Sequence, residues 1–186
     1  MTEGLATARA PAVVAVVVTK DPGPWFDETL QAIAAQDYGN LSVLVLVSGG
    51  DTNPTPAVAA ALPDAFVRRL PENGGFGAAV REALSMVEGA PFFFLCHDDC
   101  APSPDALHLM VEESFRSNAG IVSPKIVHWE DPSSLMHVGQ SIDKTGAVVE
   151  RVQDGEIDAG QHDAVRDVFV APGGCLLVRA DLLRAL

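Results

Sequence analysis

The chain lacks any apolar run long enough to cross a bilayer. The stretch Ala12 to Val18 stops at Thr19-Lys20-Asp21, well short of the roughly 20 residues that a spanning helix needs, and no small-residue cleavage pattern of the secretory kind accompanies it. Taken alone the chain is expected to be soluble, with membrane contact only through further segments or partners. Positive charge is scarce: 12 Lys and Arg stand against 25 Asp and Glu, for a formal net charge of −13. That excludes a broad electrostatic footprint for nucleic acid. An anionic ligand would have to be met by a local device, such as a helix N-terminus, a few placed basic side chains or a metal ion. Cysteine is scarce as well. Cys96, Cys100 and Cys175 are too few for a disulfide scaffold and odd in number, which points to reduced thiols filling a core in a cytoplasmic setting. No internal repeat is visible.

What is present is a 48% hydrophobic chain of 186 residues, enough for one domain around one core. Residues 1–10 carry no hydrophobic period and are expected to form a disordered tail, with the domain over 11–186. Apolar runs then alternate with helical patterns. AVVAVVV (12–18) precedes WFDETLQAIAAQ (25–36), whose Phe26, Leu30 and Ile33 recur at helical spacing. LSVLVLV (41–47), FVRRL (66–70) and PFFFLC (91–96) are further strands. Between them lie an Ala-rich helix around 56–62 and a helix in GFGAAVREALSMVEG. SPDALHLMVEESFRS (103–117) follows as a helix with Ser103 as N-cap and Pro104 at its first position. Unbroken apolar strands separated by helices predict a parallel sheet covered on both faces. After residue 120 the pattern changes to strands at 120–127, 135–143, 146–152 and 167–180, without clear helices, and so to a partly antiparallel continuation. The acidic stretch 154–167 is expected to be a solvated lid or connector. The chain stops at ADLLRAL, in the opening turns of another predicted helix, which suggests a piece of a larger domain.

In open α/β sheets the ligand lies beyond the carboxyl ends of the strands. Those ends are Thr19-Lys20-Asp21, Ser48-Gly49-Gly50-Asp51, Glu72-Asn73-Gly74-Gly75 and His97-Asp98-Asp99. Adjacent carboxylates repel unless a cation sits beside them, and a hard ion such as Mg²⁺ or Mn²⁺ accepts carboxylate oxygens while keeping positions for phosphate. Capping of the following turn by Asp98 and Asp99 is the competing reading. A zinc site from Cys96, His97, Cys100 and His108 lacks a second matched pair of ligands. Gly75-x-Gly77 is followed by Val80 at the third small position, a poor dinucleotide fingerprint. His128, His137 and His162 stand singly in polar context, as surface residues do.

In combination these segments resemble the family 2 glycosyltransferases, inverting enzymes of GT-A fold, over nearly the whole chain from Pro11. VLVLVSGGDTN is similar to the family's hydrophobic strand and acidic-glycine turn, and ENGGFGAAVREAL to its Asn-x-Gly-Phe helix opening. FFFLCHDDCAPSPDAL resembles its acidic metal motif with the helix that follows, and APGGCLLVRADLL its glycine-rich strand leading to an Arg and a helix. HDD with the later GQHDAVRDV resembles a subgroup found as cytoplasmic domains of larger actinobacterial membrane proteins. The resemblance implies an α/β fold with a mixed, mainly parallel sheet and helices on both faces. It implies a nucleotide-sugar donor, a carbohydrate or lipid-linked acceptor in cell-envelope polysaccharide or glycolipid synthesis, and a location in the cytoplasm or at the inner face of the plasma membrane. By the same resemblance Asp99 would ligate Mg²⁺ or Mn²⁺ at the donor diphosphate and Asp98 would contact the ribose or the same ion. Thr19, Asp21, Ser48 and Asp51 would flank the base, and Asn73, Gly74 and Arg81 the ribose and phosphates.

Two departures matter. Ser48 stands where the family usually has an aspartate that bonds the base, which weakens selection of uridine, and Arg81 replaces a common Asn. The family's catalytic base lies after the helix that begins near Asp181, so it is expected beyond Leu186; were it within the chain, Asp163 or Asp167 would be the first candidates. A nucleotidyltransferase with the same carboxylates is the nearest enzymatic alternative, but the first turn lacks a Gly-rich basic loop for a triphosphate. A degenerate domain serving as a structural or binding module is the non-enzymatic one.

Overall fold

Strands apolar on both faces are stable only when layers cover both sides. The computed structural model, which describes residues 10–185, meets that requirement around β1 (Val13–Thr19) and β4 (Phe92–His97). With β2 (Leu41–Ser48), β3 (Phe66–Leu70), β5 (Ile121–Val122) and β10 (Cys175–Arg179) they form a six-stranded sheet of order β3-β2-β1-β4-β10-β5. β1 pairs in parallel with β2 and β4, and β2 with β3, whereas β10 runs antiparallel to both its neighbours. Among the described residues four helices connect these strands, α1 (Phe26–Ala34), α2 (Thr55–Ala61), α3 (Gly75–Met86) and α4 (Ala106–Ser117), and α5 (Ala180–Ala185) follows β10.

Alternate side chains of each strand sort the core into two halves. Val13, Ala15, Val17 and Phe94 pack with Phe26, Leu30 and Ile33 of α1, Val58 of α2, and Leu107 and Met110 of α4. Val16, Phe93 and Leu95 pack with Ala79, Val80 and Ala83 of α3. The sheet is therefore mixed, mainly parallel and covered on both faces, as expected. The chain leaves β1 toward β2 and β3, then recrosses to β4 on the other side of β1. The carboxyl ends of β1 and β4 thus flank a topological switch point, where such sheets bind ligands.

The later strands are shorter than the sequence pattern predicts. Pro124 interrupts 120–127, leaving β5 and β6 (Ile126–Val127), and Gly139, at φ +80°, divides 135–143 into β7 (Leu135–His137) and β8 (Gln140–Ile142). Proline offers no ladder N–H and a positive φ breaks the extended backbone. β6 pairs with β7, and β8 with β9 (Val148–Glu150), both antiparallel. Of 167–180 only Cys175–Arg179 is strand, and α5 starts at Ala180. The tail expected over residues 1–10 lies outside the described residues except for Ala10, whose carbonyl accepts from Asn40 Nδ2 at 2.8 Å.

The acidic stretch is a tethered connector rather than a free lid. Lys125 Nζ lies 2.6 Å from both Asp158 and Asp163. Glu156 accepts the Gln153 N–H at 2.9 Å and Gln161 Nε2 at 2.8 Å, and His162 Nε2 lies 3.0 Å away. These contacts, the Gln153 N–H foremost, hold the Glu156 carboxyl down at about 2. Its value in the unfolded chain is about 4.3, so the contribution is complete above that pH and lost as pH falls through the folded value. Amide protection over residues 153–163, taken relative to the intrinsic exchange rate at each pH, should fall between about pH 4.5 and pH 2, and Glu156→Ala should remove that acid step; an unchanged acid profile in the variant would refute the anchoring role.

One expected cap is replaced. α4 begins at Ala106 with Asp105 as N-cap, Ser103 and Pro104 forming a preceding turn in which Ala106 N–H donates to the Ser103 carbonyl at 3.0 Å. The helix N–H of Leu107 donates instead to Gln36 Oε1 at 3.0 Å, while Gln36 Nε2 donates to the carbonyls of Ala32 (3.0 Å) and Ser103 (2.8 Å). A side chain fixed just beyond α1 wins over the local Ser103 because one amide serves both helix ends. Removing a helix cap costs about 0.5–2 kcal/mol, so Gln36→Ala should lower unfolding stability by that amount in urea, and an unshifted midpoint would contradict it.

Candidate functional site

The first polar residue after the buried run of β1 is Thr19, itself only 2% exposed. Its Oγ1 donates to Asp98 Oδ2 at 2.5 Å, joining the carboxyl ends of β1 and β4 across the switch point. A hydrogen bond to an ionised acceptor contributes about 1.5–3 kcal/mol net. Two more contacts hold the His97-Asp98 turn. Buried Thr29 of α1 donates Oγ1 to the Asp98 carbonyl at 3.0 Å, and His97 N–H donates to the Gly174 carbonyl at 3.0 Å. Among the described residues neither Asp98 nor Asp99 accepts a backbone N–H, so neither caps the turn. Asp98 Oδ1 and both oxygens of exposed Asp99 are left without a protein donor.

An open cleft of about 210 Å³ lies over this edge. It brings together Thr19, Ser48, Asn73 and Asp98, which the sequence singles out, and adds Lys20, Phe76 and His97. Enclosed small-molecule sites run to about 300–1,000 Å³, so the cleft seats part of a ligand and the remainder lies along the open edge. Ser48, 2% exposed, donates Oγ to Asn73 Oδ1 at 3.2 Å, and that oxygen also accepts the Gly75 N–H at 3.1 Å. The Asn73 NH₂ group remains as a donor for a ligand. His97 packs against Phe76 with ring centroids 4.4 Å apart and the ring planes tilted by 46°. Lys20 places a cation at the cleft in a strongly acidic chain.

Other selected residues act at one remove from the cleft. Asp21, at φ +47°, accepts the N–H groups of Asp51 (2.8 Å) and Thr52 (2.9 Å) through Oδ1, tying the loop after β1 to the loop after β2. The Thr52 N–H foremost holds its carboxyl below the usual range. Asp51 is exposed and reaches this site through its backbone. Gly74 is the N-cap of α3, where a Cβ would meet that of Ala78 at 2.7 Å. Arg81 is exposed on α3, away from the cleft wall, and Asp163 is engaged by Lys125. Asp167 is exposed in the connector. Arg69 was not legible as part of this region: from β3 it donates to the Gly50 carbonyl at 2.9 Å and the Thr52 carbonyl at 2.8 Å. Thr29 was hidden likewise, since each acts on a backbone group distant in sequence. His97 and His108 do not join a zinc set; the metal-capable group among the described residues is Cys96, Cys100 and Cys175.

A mainly parallel α/β sheet with carboxylate, hydroxyl and amide side chains gathered at its carboxyl edge is the GT-A architecture. Its solved relatives agree. TarS of S. aureus, residues 1–349, matches with a TM-score of 0.66 at 15% identity over 94% of this chain and 48% of that one. The mannosyltransferase PcManGT of Pyrobaculum calidifontis, solved with GDP-Man and Mn²⁺, matches at 0.61 and 20% identity over 94% and 46%. The family model for glycosyl transferase family 2 matches residues 14–186, and the chain belongs to that family. An uncharacterized glycosyltransferase of Rickettsia bellii is 30% identical over 90 residues, which are 48% of this chain and 13% of that protein. The chain thus spans a small part of that relative and just under half of the two solved structures.

Gly50 tests the loop architecture. Its φ is +81°, and a Cβ there would lie 2.5 Å from Asp21 Oδ1. Gly50→Ala should cost about 1–2 kcal/mol from the left-handed backbone, lower the thermal midpoint by roughly 2–8 °C, and free Asp21 from its two amides. A variant as stable as the parent would show that the loop is not held this way.

Proposed function

We propose that this chain binds the donor of an inverting glycosyl transfer. The donor is a nucleoside-diphosphate sugar held with a hard divalent cation, Mg²⁺ or Mn²⁺, and the acceptor is a hydroxyl of a carbohydrate or lipid-linked molecule. The observation that carries this reading is the state of the two carboxylates. Asp98 is fixed at the switch point through one oxygen, and its other oxygen and those of Asp99 have no protein donor. Oxygen donors of this kind fit a hard cation. Family membership supports the reaction class, and the mannosyltransferase neighbour was solved with GDP-Man and Mn²⁺.

Residues of the cleft and of the loops around it divide the tasks in this reading. Asp98 and Asp99 hold the ion, which when bound supplies Lewis-acid stabilisation of the negative charge on the departing diphosphate. Lys20 adds a positive charge beside it. Ser48 and the Asn73 amide offer neutral hydrogen bonds to the nucleoside, so base selection rests on shape and hydrogen bonding without a carboxylate. Asp21 and Arg69 keep the loops after β1 and β2 in register for binding. The acceptor hydroxyl is deprotonated by a carboxylate outside this cleft, since Asp98 and Asp99 are given to the ion and Asp163 to Lys125. We place the reaction at the cytoplasmic side of the plasma membrane, in assembly of envelope polysaccharide or glycolipid; the charge balance and reduced thiols are compatible with that compartment.

Isothermal titration with nucleoside diphosphates, with and without Mn²⁺, tests the reading. Binding should require the ion, and Asp99→Ala should weaken it at least about tenfold, roughly 1.4 kcal/mol. Equal affinity in EDTA would remove the metal from the site, and failure to bind any nucleoside diphosphate would favour a non-catalytic interaction module.

A further inference from the structure

The carboxyl end of β4 sends neighbouring side chains to opposite faces. His97 turns to Phe76 and the cleft, whereas Cys96 turns into the other half of the core, beside Cys175, its direct partner in the antiparallel register with β10. Because His97 N–H donates to the Gly174 carbonyl, Cys96 and Cys175 form a non-hydrogen-bonded pair, the type whose side chains stand closest. The Asp98-Asp99 turn then brings Cys100 back over the same end, its carbonyl 3.8 Å from Cys96 Sγ. All three Sγ atoms lie within 4.8 Å of one another. Cys96 and Cys175 are buried, while Cys100 is partly open to solvent.

Three converging sulfurs with one open side form a donor set for a soft cation. Zn–S bonds of about 2.3 Å place the sulfurs of a tetrahedral site roughly 3.8 Å apart, so closing the widest pair requires a shift of about 1 Å or less. Thiolate donors select soft ions, and carboxylate oxygens select hard ones such as Mg²⁺ and Mn²⁺. Cys96 and Cys100 flank Asp98 and Asp99 in sequence, and the two donor sets differ in kind. We propose that Cys96, Cys100 and Cys175 form a site for a thiophilic d¹⁰ cation, Zn²⁺ in the first instance, whose fourth position is taken by water on the open side of Cys100. Bound there, the ion joins β4, β10 and the turn that carries Asp98 and Asp99, and stabilises the fold by mass action. This inference does not depend on the donor reading.

Cd²⁺, which reports thiolate ligation by charge-transfer absorption, is the probe. The reduced, metal-free 186-residue chain, titrated with Cd²⁺ in the absence of nucleotide, should develop that absorption to saturation at one ion per chain, with a raised thermal midpoint. Cd²⁺ should likewise displace Zn²⁺ bound beforehand, at the same one-to-one stoichiometry, and excess Mn²⁺ should not displace Cd²⁺. Cys100→Ser, at a partly exposed position, should fold and bind at least about tenfold more weakly, while the double variant Asp98→Ala, Asp99→Ala should retain the absorption. Absence of the absorption, its full retention in Cys100→Ser, or recovery of a disulfide-linked pair in place of the bound ion would overturn the proposal.

Discussion

Burial of β1 and β4 on both faces is the constraint on which the rest depends. Val16, Val17, Phe93 and Phe94 are wholly buried, so along their length the central strands offer a ligand no polar side chain, and only apolar Val18 near the end of β1 reaches the cleft. Polar chemistry is confined to the positions where each strand leaves the sheet, at Thr19, Ser48, His97 and Asp98. Between two strands that are parallel neighbours, those positions are adjacent in space without any local sequence relation. The Thr19–Asp98 hydrogen bond is the direct product of that geometry.

Loops at such an edge have little core of their own, and here distant side chains hold them in place. Asp21 takes two amides of the loop after β2, and Arg69 takes two of that loop's carbonyls. Asp21 comes from the β1 side of the loop and Arg69 from the β3 side, and together they satisfy four of its backbone groups without regular structure. Gly50 is needed because Asp21 occupies the space of a side chain there. On the other side of the sheet Gln36 and Thr29 do the same for the start of α4 and for the Asp98 carbonyl. A cleft built this way is pre-organised at its floor and open above.

The acidic balance of the chain gives this floor its chemical character. At −13 overall, an anion approaches against the field of the protein unless a cation accompanies it. Lys20 and two carboxylates with free oxygens are local means of reversing that field, the carboxylates by holding a hard ion. The sulfur cluster behind the same strand end adds donors of opposite softness. Alternation along β4 turns Cys96 into the core half opposite the one that His97 and Phe76 face, so Cys96 points away from His97 at the cleft.

Much of the architecture was legible in the sequence because burial on both faces writes unbroken apolar runs, and the runs at 12–18, 41–47, 66–70 and 91–96 became β1 to β4 within a residue or so. The polar residues that end those runs were legible for the same reason, and Thr19, Ser48, Asn73 and Asp98 do meet at one cleft. The family resemblance was carried by their order along the chain. What the sequence left open was every contact between residues far apart in it. Ser103 has the local chemistry of a cap, yet Gln36 supplies the cap, and Asp21 has the chemistry of a ligand residue, yet one of its oxygens is spent on two amides. Cys175 has no sequence relation to Cys96 or Cys100, and only the pairing of β10 with β4 places the three sulfurs together. Periodicity and chain order record which side of a strand faces apolar surroundings; hydrogen-bond and thiol partners depend on which strands become neighbours, and that is decided when the sheet assembles.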